Sequence, residues 1–180
     1  MKLLTAIILL TTTTNLLSQT KSPHGFADSS IPELAQFEYY IGDWKAEMEM
    51  IQPDGSFKSI PTAMTISGKF LDDHLTYQSQ FTTANGFFST DIRTYNPKTK
   101  KWEALFLNAK AQRWHRFSAS LKDGKMTTIV IGGYSGNEDF DVKTIDTVIS
   151  DNQYLKHVYH SKDEMKTWTL MYRTTVTRLN

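Results

Sequence analysis

The sequence predicts an all-β protein, an antiparallel sandwich or barrel of about ten strands preceded by one short helix. Three observations lead there. Segments rich in Thr, Val, Ile, Tyr, Phe and Trp, which suit a pleated and half-buried surface, recur along the chain. Turn signals separate them at even spacing: Pro53-Asp54-Gly55, Leu71 to His74, Asn85-Gly86, Asn96 to Lys100, Lys122-Asp123-Gly124, Gly132-Gly133 through Glu138, Ser150-Asp151-Asn152 and Lys162-Asp163-Glu164. No helical periodicity intervenes between these breaks.

The elements follow in order. Met1-Lys2, the apolar run Leu3 to Leu10 and the stretch ending in Leu16-Leu17-Ser18 have the parts of a secretory signal peptide, which places a cut after Ser18 and an exported, periplasmic or secreted protein. No apolar run reaches the ~20 residues of a membrane-spanning helix. Residues 19–30 are polar, with Pro23, Gly25 and a Ser pair, and read as a mobile leader ahead of a single domain over residues 31–180. Ser30 before Ile31-Pro32-Glu33 is helix-start chemistry, with a short helix to about Tyr39. The period then becomes two: Trp44, Ala46, Met48 and Met50 share one face, and Lys45, Glu47 and Glu49 the other. A long last strand, Lys166 to Arg178, carries Trp168, Leu170, Tyr172, Thr174, Val176 and Arg178 on one face. Before it, Ser161 to Trp168 resembles the Asp-box hairpin of propeller glycosidases, with Met165 at the position of its Gly. The motif occurs once, which supports a hairpin and not a propeller.

Composition narrows the function. The 180 residues carry 20 Lys+Arg and 19 Asp+Glu, a net +1, which disfavours a nucleic-acid binder that depends on a basic field. There is no cysteine, hence no disulfide, thiolate metal site or thiol nucleophile. With no crosslinks, stability must come from closing the sheet over a core.

The segment Phe37 to Ala46, with Ile41-Gly42-Asp43-Trp44 at its centre, resembles the opening of calycin-type barrels, in which a short helix leads to Gly-x-Trp at the first strand. Together with Ser67-Gly68-Lys69-Phe70-Leu71 and the Tyr95-Asn96-Pro97 to Lys101-Trp102 hairpin, it is similar to a family of uncharacterised bacterial exported proteins with a lipocalin-like domain. The resemblance covers about residues 32–178. It implies an up-and-down barrel around a ligand cavity, closed at one end by Gly42 and Trp44, with an arginine of the last strand over the indole. Arg178, in phase with the apolar face, takes that structural role.

Candidate chemistry is sparse. His157 and His160 lie three apart on a strand, so they point to opposite faces and cannot chelate one ion together. No His-Glu-x-x-His spacing, nucleophile elbow, Walker loop or dinucleotide fingerprint occurs, so neither a metal site nor a cofactor is expected. His115 is in phase with Phe117 and Ala119, and His157 with Leu155 and Tyr159, which points both inward. Arg113 and His115 at one end of an otherwise apolar strand would suit an amphiphile with a carboxylate head. Tyr77 and Tyr159 would add hydroxyl donors. The plain alternative is that Arg113 and Arg116 are solvated at the strand mouth.

Four functions remain open from sequence. The first is a binding module for a small apolar or amphiphilic molecule, with Tyr77, Arg113, His115, His157 and Tyr159 as polar contacts. The second is an enzyme in the same cavity with His115 or His157 as general base. The third is a haem-binding barrel with an inward histidine as axial ligand. The fourth is an envelope protein that binds a partner or forms a homodimer.

Overall fold

A computed structural model of the chain describes residues 22–134, 136 and 138–179. The expected signal peptide, residues 1–18, lies outside the described residues. A 3-10 helix, Pro32–Tyr40, is followed by eleven strands: β1 Gly42–Ile51, β2 Phe57–Ser59, β3 Met64–Phe70, β4 Tyr77–Thr83, β5 Phe88–Asn96, β6 Lys101–Asn108, β7 Arg113–Lys122, β8 Lys125–Val130, β9 Asp141–Ser150, β10 Gln153–Ser161 and β11 Thr169–Arg178. β1 pairs antiparallel with β3, each strand from β3 on pairs antiparallel with the next, and β11 pairs with β1, so ten strands close into an up-and-down barrel. The short β2 pairs only with the far end of β1, on the same edge as β3, so it continues the position of β3 around the ring. Closure removes the free edges that an open sheet of this size would expose.

The register fixes what faces inward. Trp44 pairs with Arg178, Ala46 with Val176 and Met48 with Thr174, which puts the apolar phase of β1 inside and Lys45, Glu47 and Glu49 outside. The helix enters one end as a plug. Leu34, Phe37 and Tyr40 are buried there, against Trp44, Tyr77, Trp102 and Tyr154. The Trp44 indole donates to the Tyr40 carbonyl at 3.1 Å. The Arg178 guanidinium lies 4.1 Å from the centre of the Trp44 ring and donates to the carbonyls of Ile41 (2.9 Å) and Asp151 (3.1 Å). Gly42 has φ +119°, and a Cβ there would meet Arg178 at 2.3 Å, so the guanidinium occupies space that only glycine leaves.

Two local expectations are revised. The helix has Ile31 at its N-cap with no side-chain cap, because Ser30 is engaged by its own turn, its amide donating to Asp28 at 2.8 Å. Residues 22–30, expected to be mobile, are tied to the barrel. The Phe70 amide donates to the His24 carbonyl and the Asp28 amide to that of His74, both at 2.9 Å, and the Phe26 and His74 rings stack at 4.2 Å. Polar composition signals mobility only while backbone groups lack partners, and here the end of β3 and the β3–β4 turn supply them.

The β10–β11 hairpin shows what the Asp-box-like sequence does. Asp163 accepts from the Thr167 amide (2.9 Å) and hydroxyl (2.6 Å) and from the Ser161 hydroxyl (2.7 Å), while Glu164 and Met165 take φ of +59° and +66°. The Thr167 hydroxyl first, then the amide and Ser161, hold the Asp163 carboxyl down at about 2. A depressed carboxyl stabilises the fold above its unfolded value of about 3.9 and loses that contribution as pH falls through its folded one. Asp163→Ala should therefore lower the Tm at pH 7, and the gap to the parent should close between about pH 4 and pH 2. Thermal melts across that range check it.

Gly68 on β3 faces the plug, and a Cβ there would come within 2.2 Å of the Tyr40 carbonyl oxygen and 2.4 Å of the Tyr77 hydroxyl. Neither can retreat without moving the helix. Gly68→Ala should destabilise by about 1–3 kcal/mol, as overpacking does, read by urea denaturation.

Candidate functional site

Above the plug the barrel holds a cavity of about 310 Å³, running from Tyr40 at its floor to Phe87 and Asn108 at the opposite end. Its walls are largely apolar, with Met48, Met64, Phe81, Phe106, Phe117 and Tyr172 among them. Two cations reach it, Arg93 from β5 and Lys156 from β10. Strand parity places both. Asp91 and Arg93 are two apart on β5 and share the inward face, opposite Phe106 and Ala104 of β6. Lys156 pairs directly with Asp146 across β9–β10.

Each cation has its own carboxylate. Arg93 donates to Asp91 through Nε (2.9 Å) and Nη2 (2.6 Å), a bidentate pair, and the Ser79 hydroxyl adds a bond to Asp91 Oδ1 at 2.8 Å. Lys156 donates to Asp146 Oδ1 at 2.5 Å, and the Tyr39 hydroxyl to Asp146 Oδ2 at 2.8 Å. Asp91, Asp146 and Arg93 are almost fully shielded from water. Burial by itself would pull both cations below their ordinary values. The facing carboxylates more than offset it, so both Arg93 and Lys156 sit above their ordinary values and stay charged.

Tyr40 stands between them. Its ring centre is 5.7 Å from the Arg93 guanidinium carbon and 5.3 Å from Lys156 Nζ. The guanidinium also lies over the rings of Phe37 (4.8 Å), Phe117 (5.2 Å) and Tyr77 (5.9 Å). This aromatic seat favours a delocalised cation over water. Burial, opposed by the Lys156 charge, raises the Tyr40 hydroxyl, so it remains protonated near neutrality and can donate.

The residues singled out from sequence are scattered. Tyr77 faces inward but lies within the plug packing, fully buried, with its hydroxyl 3.5 Å from the Tyr40 carbonyl. Arg113 is exposed at the start of β7, opposite Asn108. His115 does point inward, opposite Phe106, yet its ring is packed under the β8–β9 loop at Gly136, and Nε2 makes no hydrogen bond with a described residue.

His157 and Tyr159 do not face inward as expected. Tyr154 and Val158 are buried, so the inward phase of β10 carries Lys156, and His157 sits outside opposite Arg173. Burial, with the charges of Arg173 and Lys125, lowers His157. Tyr159 is on the outer wall, where Lys143 covers its ring and that of Trp168. Apolar residues occupy both phases of β10, so alternation alone could not choose between them.

The interior ions were missed for a related reason. Asp91-Ile92-Arg93 reads as a strand with its apolar side chain inside. In the barrel Ile92 is the exposed one. A signal does exist: two opposite charges at i and i+2 can satisfy each other on the same face. Among the described residues no group of three or more His, Asp or Glu could hold a metal ion, and no helix is long and apolar enough to cross a membrane.

Removing one partner of a buried pair strands a charge, at a cost of about 3–5 kcal/mol. Asp146→Leu and Lys156→Met should each destabilise by that order, while the double variant should lose far less than the sum. A double-mutant cycle in denaturant measures the coupling.

The barrel is similar to that of the S-type phycobiliprotein lyase CPES from Guillardia theta, with a TM-score of 0.55 and 9% identity over 80% of this chain and 90% of that one. It is also similar to Rv2717c from M. tuberculosis, with a TM-score of 0.50 and 11% identity over 83% and 99% of the two chains. At such identities the likeness is one of fold. No protein-family model and no curated protein matches the sequence. The fold is a closed, lipocalin-like antiparallel barrel, the class that the Ile41–Trp44 opening implies.

Proposed function

We propose that the protein is an exported binding protein that holds one small amphiphilic molecule inside its barrel. The observation that carries this reading is the cavity itself: about 310 Å³, apolar along its walls and polar at its floor. That volume lies at the small end of the range for ligand pockets, roughly 300–1,000 Å³. A tail packs along Met48, Met64, Phe81 and Phe106, and a polar head reaches Arg93, Lys156 and the Tyr40 hydroxyl. In this reading Arg93 and Lys156, which line the cavity, take the place of Arg113, His115, His157 and Tyr159, which do not: His157 and Tyr159 lie on the outer phase of β10, Arg113 is exposed at the start of β7, and His115 points inward but packs under the β8–β9 loop. The amino-terminal sequence, with its charged start and short apolar run, supports export.

The reading is tested by extracting the purified protein with organic solvent for mass spectrometry and by titrating it with Nile red, an uncharged dye that brightens in apolar surroundings. Saturable binding at one site is expected. Thr174→Phe, which fills the cavity from β11, should weaken the dye about tenfold or more, equivalent to about 1.4 kcal/mol, with an unchanged far-UV spectrum. A folded Thr174→Phe protein that binds as tightly as the parent would overturn an interior site.

A further inference from the structure

We infer that the head of the guest is an uncharged hydrogen-bond acceptor, the oxygen of a ketone, aldehyde, ester or alcohol, and not a carboxylate. The inference rests on the cavity being the ligand site, and it names the class of molecule that site selects.

The reasoning is one of charge and of donors. The buried ionic groups at the cavity floor are Arg93, Lys156, Asp91 and Asp146, two of each sign, each cation in contact with its own carboxylate. The floor is therefore already neutral. A carboxylate ligand would bring a third anion beside two carboxylates that are almost fully shielded from water, with no uncompensated cation to meet it. It would have to displace Asp91 or Asp146, leaving that group buried and unpaired, or enter with a proton. Both routes cost affinity.

The geometry also holds the two acids in place. Ser79 secures Asp91 and Tyr39 secures Asp146, so neither swings aside without breaking a second bond. Donors, by contrast, are in surplus. Asp91 takes up the Nε and one Nη of Arg93, while Asp146 engages Lys156, and a guanidinium and an ammonium together carry more N–H groups than these contacts use. Tyr40 keeps its own proton as well. The floor thus offers N–H and O–H groups to a lone pair without offering net positive charge. A carbonyl or hydroxyl oxygen matches it, and the neighbouring walls accept the alkyl part.

Displacement of Nile red by 2-decanone, 1-decanol and decanoate at pH 8, where decanoate is ionised, tests the proposal. The three share a chain length and differ in the head. In the parent protein the ketone or the alcohol should displace the dye, and decanoate should bind at least about tenfold more weakly. Hydrophobicity alone favours the neutral probes, so the decisive arm uses Asp91→Asn and Asp146→Asn, each of which leaves one cation uncompensated. In either variant decanoate should tighten about tenfold while 2-decanone changes little.

The parent supplies a further readout should a variant not fold. Decanoate affinity should fall as pH rises from 5 to 8, because the acid enters with its proton, while ketone affinity stays level. Decanoate that binds the parent as tightly as the ketone at pH 8, or that fails to tighten in a folded Asp→Asn variant, overturns the inference and leaves the cavity as a ligand site. If Nile red binds and none of the three displaces it, both readings fall.

Discussion

Tyr40, at the end of the plug helix, joins the two halves of the interior. Its carbonyl accepts from the Trp44 indole and lies against the Tyr77 hydroxyl, and its ring sits between Arg93 and Lys156. The first set of contacts closes the barrel end; the second forms the cavity floor. Gly68 exists as glycine because the Tyr40 carbonyl needs its space, and Arg178 clamps the next carbonyl, that of Ile41, from the last strand. First strand, last strand and helix are thereby locked around one residue, and the cavity begins where that packing stops.

The ions above the plug are a constraint of a different kind. Buried charges in a β-barrel do not stabilise it more than well-packed apolar groups of the same volume would. What paired charges do provide is a fixed arrangement of donors, because each has little freedom to turn away from its partner. Asp91 and Arg93 satisfy each other along one strand, and Asp146 and Lys156 across two, so the arrangement is set by the sheet and not by loops. A site built on strands is more rigid than one built at the mouth. The sequence-based assignment of the head-group contacts to Arg113 and His115 placed them at one end of an otherwise apolar strand, where Arg113 is exposed and His115 is covered by the β8–β9 loop.

The charge balance of the whole chain and of the cavity have separate causes. A net +1 over 180 residues reflects a surface of mixed sign. The neutral floor follows from desolvation, which penalises any unpaired ion far more inside the barrel than on its surface. The first could be counted from composition and the second could not.

The sequence by itself determined the strand-and-turn order, the short helix before Gly42-x-Trp44, the inward phase of β1 and the placing of Arg178 with the apolar phase of β11. Each of these rests on local chemistry: Asp-Gly and Asn-Gly turns, period-two alternation, and residues whose apolar phase is unambiguous. It did not determine the inward phase of β5 or β10, where Ile92, Leu155 and Tyr159 lie on the outer wall while Asp91, Arg93 and Lys156 point inside. Only the closed barrel decided that. A charge is tolerable in the interior when its partner arrives from the neighbouring strand or two residues along, and register, which no local pattern encodes, is what brings Asp146 opposite Lys156.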